Sequence, residues 1–466
     1  MHQLTRQREN WVVFFFALFA LAVMLLCSPY YKGLLALKWS ADQGRVTPNI
    51  ADDPKLPFGG DFLSEWVAGG IVRDGDRGRL YDPSYAYEVE HDPARVPFDF
   101  DKNALLLMFY PPAYYVLVTP FSYLPLQWAA MLWCALMAVC LIAAAALAAK
   151  TCPERPRAFG WCLFMAFLFF PLVHDLNTGQ KATLWLLLFT GVFVLLRSGR
   201  PFTAGLIFGL VALKPPLAVV LGLAMLVKGQ WRFVAGSGIT VAGIIGLSFA
   251  LGPEVFVRFL DWSVHAPDLM LRQEYTLLDM EHSFYSFLAL PLREHLPPLV
   301  IKSVAGLLTL LTLGIVSLLL RGPIDFRSER FSLHFAGLVL ATVLVSPRLL
   351  TYDLTLVLLP VFLLARAVAL RPAWLEGRRN QLILAAVFLF IGASACQPIA
   401  HMTKLHVGTM AMFGVLVFLA RVSRTPVPAL TDIEASAAWT TSVPMGRVSR
   451  ECTHTGSDAS HCQGTA

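Results

Sequence analysis

Charge is what this sequence is short of. Only 15% of its 466 residues are Asp, Glu, Lys or Arg, while 56% are hydrophobic; soluble domains carry about 25% charged residues. The shortfall excludes a string of soluble domains, which the length alone would suggest. A disulfide or zinc framework is also missing. Cys27, Cys134, Cys140, Cys152, Cys162 and Cys396 lie in or beside apolar runs with no Cys-x-x-Cys spacing, so they read as packing residues. Cys452, His454, His461 and Cys462 are close enough in sequence for a metal set, yet they sit in Ser/Thr/Gly-rich sequence, and residues 426–466 read as a disordered cytoplasmic tail. The formal charge of +6 does not point to nucleic acid, because the basic residues form short clusters between apolar runs. That is how a membrane protein fixes its orientation.

Arg6 and Arg8 precede residues 11–27, an uncharged run at the short end for a span, with leucines where a cleavage site needs small residues. This predicts a retained first span entering from the cytoplasm. Further apolar runs follow at 104–122, 127–149, 158–173, 181–196, 201–227, 232–252, 298–320, 331–347, 352–370, 380–396 and 405–420. Pro111-Pro112 breaks the first of these and "LKPP" at 213–216 breaks the run 201–227. Proline pairs remove backbone donors, so both runs read as broken or re-entrant. With neither crossing there are about ten spans, with both about twelve. The ten-span arrangement puts most Lys and Arg in inside segments and leaves Lys181, Arg348 and Lys404 in short outer loops. The expectation is an all-α polytopic membrane protein of about 10–12 transmembrane helices. Its bundle covers residues 1–425, with both termini cytoplasmic, outer loops at 28–103 and 253–297, and amphipathic helices in the first loop.

Chemistry is expected at the outer end, because the polar outliers gather there. "GGDFLSEWVAGG" opens an amphipathic helix expected to lie on the membrane surface, apolar face down, with Asp61 at the water–lipid boundary. Asp61 there reads as an N-cap and also as a catalytic carboxylate, and the two roles are compatible. "PLVHDLNTGQKATLW" places His174, Asp175, Asn177, Gln180 and Lys181 in a hairpin, where Lys181 reads as a span cap. "SPRLLTYDL" places Arg348, Tyr352 and Asp353 in another, and Asp353 also reads as a helix start. "HSFYSFL" ends the second large loop with His282, and "ALKPPLAVV" puts Lys214 deep in apolar sequence, where a charge needs a partner or an aqueous cavity. Cations at a leaflet surface suit the phosphate of a lipid. A facing carboxylate suits a general base that activates a hydroxyl. Together they describe group transfer from a lipid-linked phosphate.

"DFLSEWVAGGIVRDGDRGRLYDP", "MFYPPAYYVLVTPFSYLP", "NTGQ", "AGLIFGLVALKPP" and "SPRLLTYDL", in that order over roughly residues 10–420, resemble glycosyltransferase family 87. These are integral-membrane hexosyltransferases of GT-C architecture that include mycobacterial polyprenol-phosphate-mannose-dependent mannosyltransferases. The resemblance implies a polyprenyl-phosphate-linked sugar donor, an outward-facing site, a glycolipid or glycan acceptor, and Asp61 as catalytic base. Tyr110 in "YPP", Gln180 in "GQ", Lys214, Tyr352 and Asp353 match other recurrent positions. Charge, not family pattern, assigns the donor phosphate to Lys214 and Arg348, with His174 and His282 as further candidates for the donor. Glu65, four residues after Asp61, is a candidate accessory acid that departs from the paired acids of many GT-C enzymes. Neither a metal nor a cofactor is expected. The implied setting is a bacterial inner membrane, with the bilayer as partner and no nucleic acid. The competing reading is a secondary transporter or flippase of a lipid-linked substrate, with Lys214 on the substrate path. A polymerase or ligase of lipid-linked glycans would place its arginines in a large late outer loop, and 253–297 is modest and mixed in charge.

Overall fold

In lipid, every backbone N–H and C=O must find a partner inside its own segment, so the apolar runs fold as helices. The computed structural model describes residues 61–96, 107–152, 157–272, 278–370 and 377–424, with Arg155, Leu375 and short strand segments between 39 and 57. These belong to one compact unit, Met1–Thr425. The expected first span at 11–27 and the tail 426–466, with Cys452, His454, His461 and Cys462, lie outside the described residues. Trp39–Ser40 pairs antiparallel with Arg45–Val46, and Pro48–Ile50 with Asp53–Pro57. The other described elements are helices.

The first group is short: α1 (Phe62–Arg73), α2 (Pro83–Glu90) and α3 (Pro112–Val118), which runs into a 3-10 turn at Thr119–Tyr123. The bundle follows with α4 (Leu126–Lys150), α5 (Ala158–Phe167), α6 (Phe170–Thr178), α7 (Ala182–Arg197), α8 (Pro201–Gly209), α9 (Pro215–Val227) and α10 (Trp231–Ala250). Two connecting helices, α11 (Pro253–Arg272) and α12 (Phe284–Leu292), lead to α13 (Pro298–Leu319), α14 (Arg330–Val345), α15 (Leu358–Leu370), α16 (Arg379–Ser394), α17 (Cys396–Thr403) and α18 (Val407–Val422). Four described helices are long and apolar enough to cross a membrane, or up to six when the bent pairs α5–α6 and α16–α17 each count as one. Shorter apolar helices, α7, α8 with its 3-10 extension, α9, α14 and α18, fill the bundle. The protein is an all-α, multi-pass membrane protein.

Side-chain contacts sort the helix ends into two groups. Arg197 Nη1 donates to the Ser328 carbonyl (3.0 Å), Lys228 Nζ to that of Gly322 (2.9 Å) and Arg366 Nε to that of Thr151 (3.0 Å). Arg197 and Arg366 share Glu329. Burial alone would raise the Glu329 carboxyl, but the two guanidiniums hold it below its usual range. This is the basic end. At the opposite end, Trp133 Nε1 donates to the Gly179 carbonyl (2.8 Å) and Ala113 N to Ser248 Oγ (3.1 Å).

The run 201–227 leaves from the basic end and returns to it. Its helix breaks at Lys214, between the 3-10 turn Leu210–Leu213 and α9, because Pro215 and Pro216 cannot donate to the preceding turn. The hairpin is pinned against α10 by close backbone approach. A Cβ on Gly205 would stand 2.1 Å from the Phe233 carbonyl oxygen, and one on Gly236 2.2 Å from that of Phe202. Small residues let membrane helices meet backbone to backbone in this way. The run 104–122 yields only α3 and its 3-10 turn among the described residues, too short to cross.

One expectation is corrected. Helix α1 does not rest on a surface with one face in lipid: Phe62, Leu63, Val67, Ala68 and Ile71 are all buried within the unit. Phe62 stacks on Trp133 (centroids 5.1 Å apart) and meets Phe121 edge-on at 5.9 Å. The apolar face finds protein because α4 and the turn after α3 lie against it.

Candidate active site

Asp61 stands at the start of α1 yet does not cap it, for its side chain makes no bond to its own helix. The cap reading therefore fails, and the carboxylate is left for other work. Its backbone N–H donates to the Thr178 carbonyl (3.0 Å), and Oδ2 accepts from Gln180 Nε2 at 2.8 Å. Trp133 enforces the meeting by stacking on Phe62 while holding the Gly179 carbonyl. Gly179 itself has φ +72, the left-handed turn that lets α6 pass into α7. Burial raises the Asp61 carboxyl to about 6; Gln180's hydrogen bond works against this, Glu65's charge adds to it, and Lys181's reduces it.

One turn along α1, Glu65 pairs with Lys181, and both side chains are almost wholly buried, at 5% and 3% exposure. Ser64 Oγ donates to the other Glu65 oxygen at 2.9 Å, and the Tyr114 hydroxyl lies 3.5 Å from the first. The Lys181 ammonium sits 4.1 Å from the Tyr110 ring centroid and 5.3 Å from that of Tyr114. Such a desolvated cation over aromatic faces gains both the ion pair and the ring quadrupole. Lys181 occupies the cap position of α7, as its sequence context implies, but its side chain turns to Glu65.

A second ion pair joins Lys214, at the tip of the α8–α9 hairpin, to Asp353. Asp353 also accepts from the Leu350 N–H (3.3 Å), so it fastens the turn that carries Arg348. Tyr110 belongs to both pairs' surroundings, within electrostatic reach of Lys214, Asp353 and Glu65. Tyr352 is likewise within reach of Asp61, Asp353 and Glu65. The Tyr110 segment is itself held: Tyr81 Oη donates to the Tyr110 carbonyl (2.7 Å) and Trp262 Nε1, on α11, to that of Met108 (2.8 Å).

Asp61, Glu65, Tyr110, Gln180, Lys214, Tyr352 and Asp353 thus form one neighbourhood, together with Lys181 and Tyr114. His174 borders it, buried with its ring 6.1 Å from that of Tyr352. Arg348 is half-buried and faces the charge of Glu281, whose carboxyl burial raises and Arg348 lowers. His282 stands apart. It is fully buried, its N–H donates to the Leu349 carbonyl (2.7 Å), its Nε2 lies 3.2 Å from Thr351 Oγ1 and 3.4 Å from Cys396 Sγ, and its carbonyl accepts from Thr409 (3.3 Å). These contacts tie the second loop to α17 and α18; none is to Asp61, Lys181 or Lys214. Asp175, buried, caps α7 through the N–H groups of Ala182 (2.8 Å) and Thr183 (3.1 Å). Among the described residues no group of three or more His, Cys, Asp or Glu is placed to hold a metal ion.

The cluster offers a half-buried carboxylate with a raised proton affinity beside two lysines, each ion-paired to a carboxylate. Comparison with characterised proteins and with solved structures finds no match. The family model described as Glycosyltransferase family 87 matches residues 108–347, more than half of the chain. That stretch contains Tyr110, Gln180, Lys181 and Lys214, while Asp61, Arg348 and Asp353 lie outside it. By this match the chain belongs to glycosyltransferase family 87, and the protein is a membrane-embedded glycosyltransferase.

Proposed function

We propose that this enzyme moves a hexose from a polyprenyl-phosphate donor to an acceptor hydroxyl, on a glycolipid or glycan, with Asp61 as general base. The acceptor's proton passes to Asp61 as its oxygen forms a bond to the anomeric carbon. The bond from that carbon to the phosphate oxygen breaks, and polyprenyl phosphate leaves with the electron pair. Attack from the face opposite the phosphate inverts the anomeric centre. Lys214 and Arg348 meet the charge that grows on the leaving phosphate. Asp353 fixes the position of the Lys214 ammonium through their ion pair.

The observation that carries this reading is the orientation of Asp61. A carboxylate at a helix start would ordinarily turn back to cap it, but here it faces Gln180 and the cation-bearing neighbourhood. Membership of a glycosyltransferase family counts against a transporter or flippase as the primary activity. The arginine and lysine side chains of the basic end support a cytoplasmic position for that end, and we read the Asp61 neighbourhood as lying on the outer face of a bacterial inner membrane, with both termini cytoplasmic. The test is sugar transfer from radiolabelled polyprenyl-phosphate hexose by purified Asp61→Asn protein. Loss of a general base should lower the rate by about 10²–10⁴-fold while donor binding persists. Undiminished transfer would end the assignment.

A further inference from the structure

Far from Asp61, a groove of about 820 Å³ opens between α16 and α18. Arg378, Gln381, Leu384 and Phe388 line one wall, spaced three or four apart on a single helical face; Gly414, Phe418 and Arg421 line the other. Leu384 is 66% and Phe388 54% exposed, so the trough opens away from the bundle, on the side where a membrane protein meets lipid. Its floor is lowered at Gly414, where an added Cβ would meet open space. The two arginines mark one mouth, because α16 begins beside Arg378 and the antiparallel α18 ends beside Arg421. Neither forms an ion pair among the described residues.

We propose that an anionic glycerophospholipid of the bilayer occupies this groove, its headgroup phosphate on Arg378 and Arg421 and an acyl chain between Phe388 and Phe418. Length selects the occupant. From Arg378 to Phe388 the groove runs about 15 Å, at 1.5 Å per helical residue. That is the depth of one leaflet of a roughly 30 Å hydrocarbon core, too short to seat a whole spanning helix. Charge selects the headgroup. A basic pocket between membrane helices at an interface attracts anionic lipid, and the guanidinium fork fits a phosphate. The site lies at the basic end, opposite the proposed donor site, and does not depend on that proposal.

The test is lipid retention by the full-length protein, read by native mass spectrometry after delipidation and addition of phosphatidylglycerol or phosphatidylcholine. Wild type should hold phosphatidylglycerol in preference. Arg378→Gln with Arg421→Gln should lower that retention about tenfold or more and leave phosphatidylcholine unchanged. Gly414→Phe, which fills the trough and keeps both arginines, should lower retention of both lipids, and it decides the matter if the double variant fails to fold. Equal retention of the two lipids by wild type, or unchanged phosphatidylglycerol in the variants, overturns the proposal. So does efficient cross-linking of a cysteine at Leu384 to one within residues 11–27, which would make the first apolar run the occupant.

Discussion

At the scale of single residues, the proton affinity of Asp61 makes the sharpest claim. A base whose carboxyl titrates at about 6 is mostly protonated below that pH and ionised above it. The kcat/KM for sugar transfer should therefore climb through pH 6 and level off, giving one acidic limb in a pH–kcat/KM profile. Gln180's hydrogen bond lowers the carboxyl, so Gln180→Ala should move the limb upward; a limb that stays in place would detach Gln180 from the base. The same group bears on stability with a definite sign. Asp61's folded value lies above its ordinary 3.8, so the folded protein keeps the proton to higher pH than the unfolded chain. Its contribution is present in acid and is lost as pH rises from about 4 to about 6. On the donor side, Lys214→Ala and Arg348→Ala should each raise the KM for donor or lower kcat, with acceptor KM little changed. Wild-type donor kinetics would remove the phosphate role. Lys214 was readable in the sequence, since a lysine between apolar residues and two prolines must be compensated. Its partner was in the candidate set too, but their pairing was not, as 139 positions separate them. The pairing of Lys181 was hidden for the same reason. Its sequence neighbours announce a helix start, while Glu65, which decides its role, lies 116 positions away.

Among the elements, the α8–α9 hairpin has the most specific construction. Its contact with α10 leaves no space for a side chain at Gly205 or Gly236. Gly205→Leu must push the helices apart, an overpacking cost of about 1–3 kcal/mol. The expected result is a lower midpoint of thermal unfolding, and with it poorer donor use as Lys214 shifts from Asp353. If Gly205→Leu unfolds as late as wild type, the close crossing is not part of the native packing. The break in this run was legible from "LKPP", because proline chemistry is local. The burial of α1 was not. Its alternation of apolar and polar residues fits a helix on a membrane as well as one covered by protein, and only the neighbouring α4 settles which. The short run at 104–122 was flagged by Pro111 and Pro112, and the described part is correspondingly brief.

For the molecule as a whole, the sorting of helix ends gives a prediction independent of catalysis. Loops at Gly199, Gly229 and Gly322 all lie at the basic end, joined through Arg197, Lys228 and their carbonyl partners. Cysteines placed there, in a background cleared of reactive native thiols, should be labelled from the same side of the membrane. A cysteine at Gly252, beyond α10, should be labelled from the other. Labelling of position 229 from the side opposite 199 would break the hairpin topology. Composition made the all-helical, many-pass class plain, since so little charge leaves few alternatives. The gathering of most candidate residues at one end was also foreshadowed by where the ionisable residues crowd. What eluded sequence was the size of the bends at α5–α6 and α16–α17, 71° and 61°, although Pro171 and Pro398 stand just past the two breaks.

The doubled-back hairpin also fixes a depth. Its return limb, α9, has 13 residues, about 20 Å of helix, and both limbs stand on the side remote from the chemistry. The Lys214 ammonium is therefore held at a set height by two pillars. Removing one residue from α9 would lower that post by about 1.5 Å and swing it by roughly 100°, whereas lengthening the connections at its feet would leave its height alone. On the role proposed for Lys214, the reach of this enzyme toward its donor is thus gauged from the far side of the bilayer, by a count of helical residues.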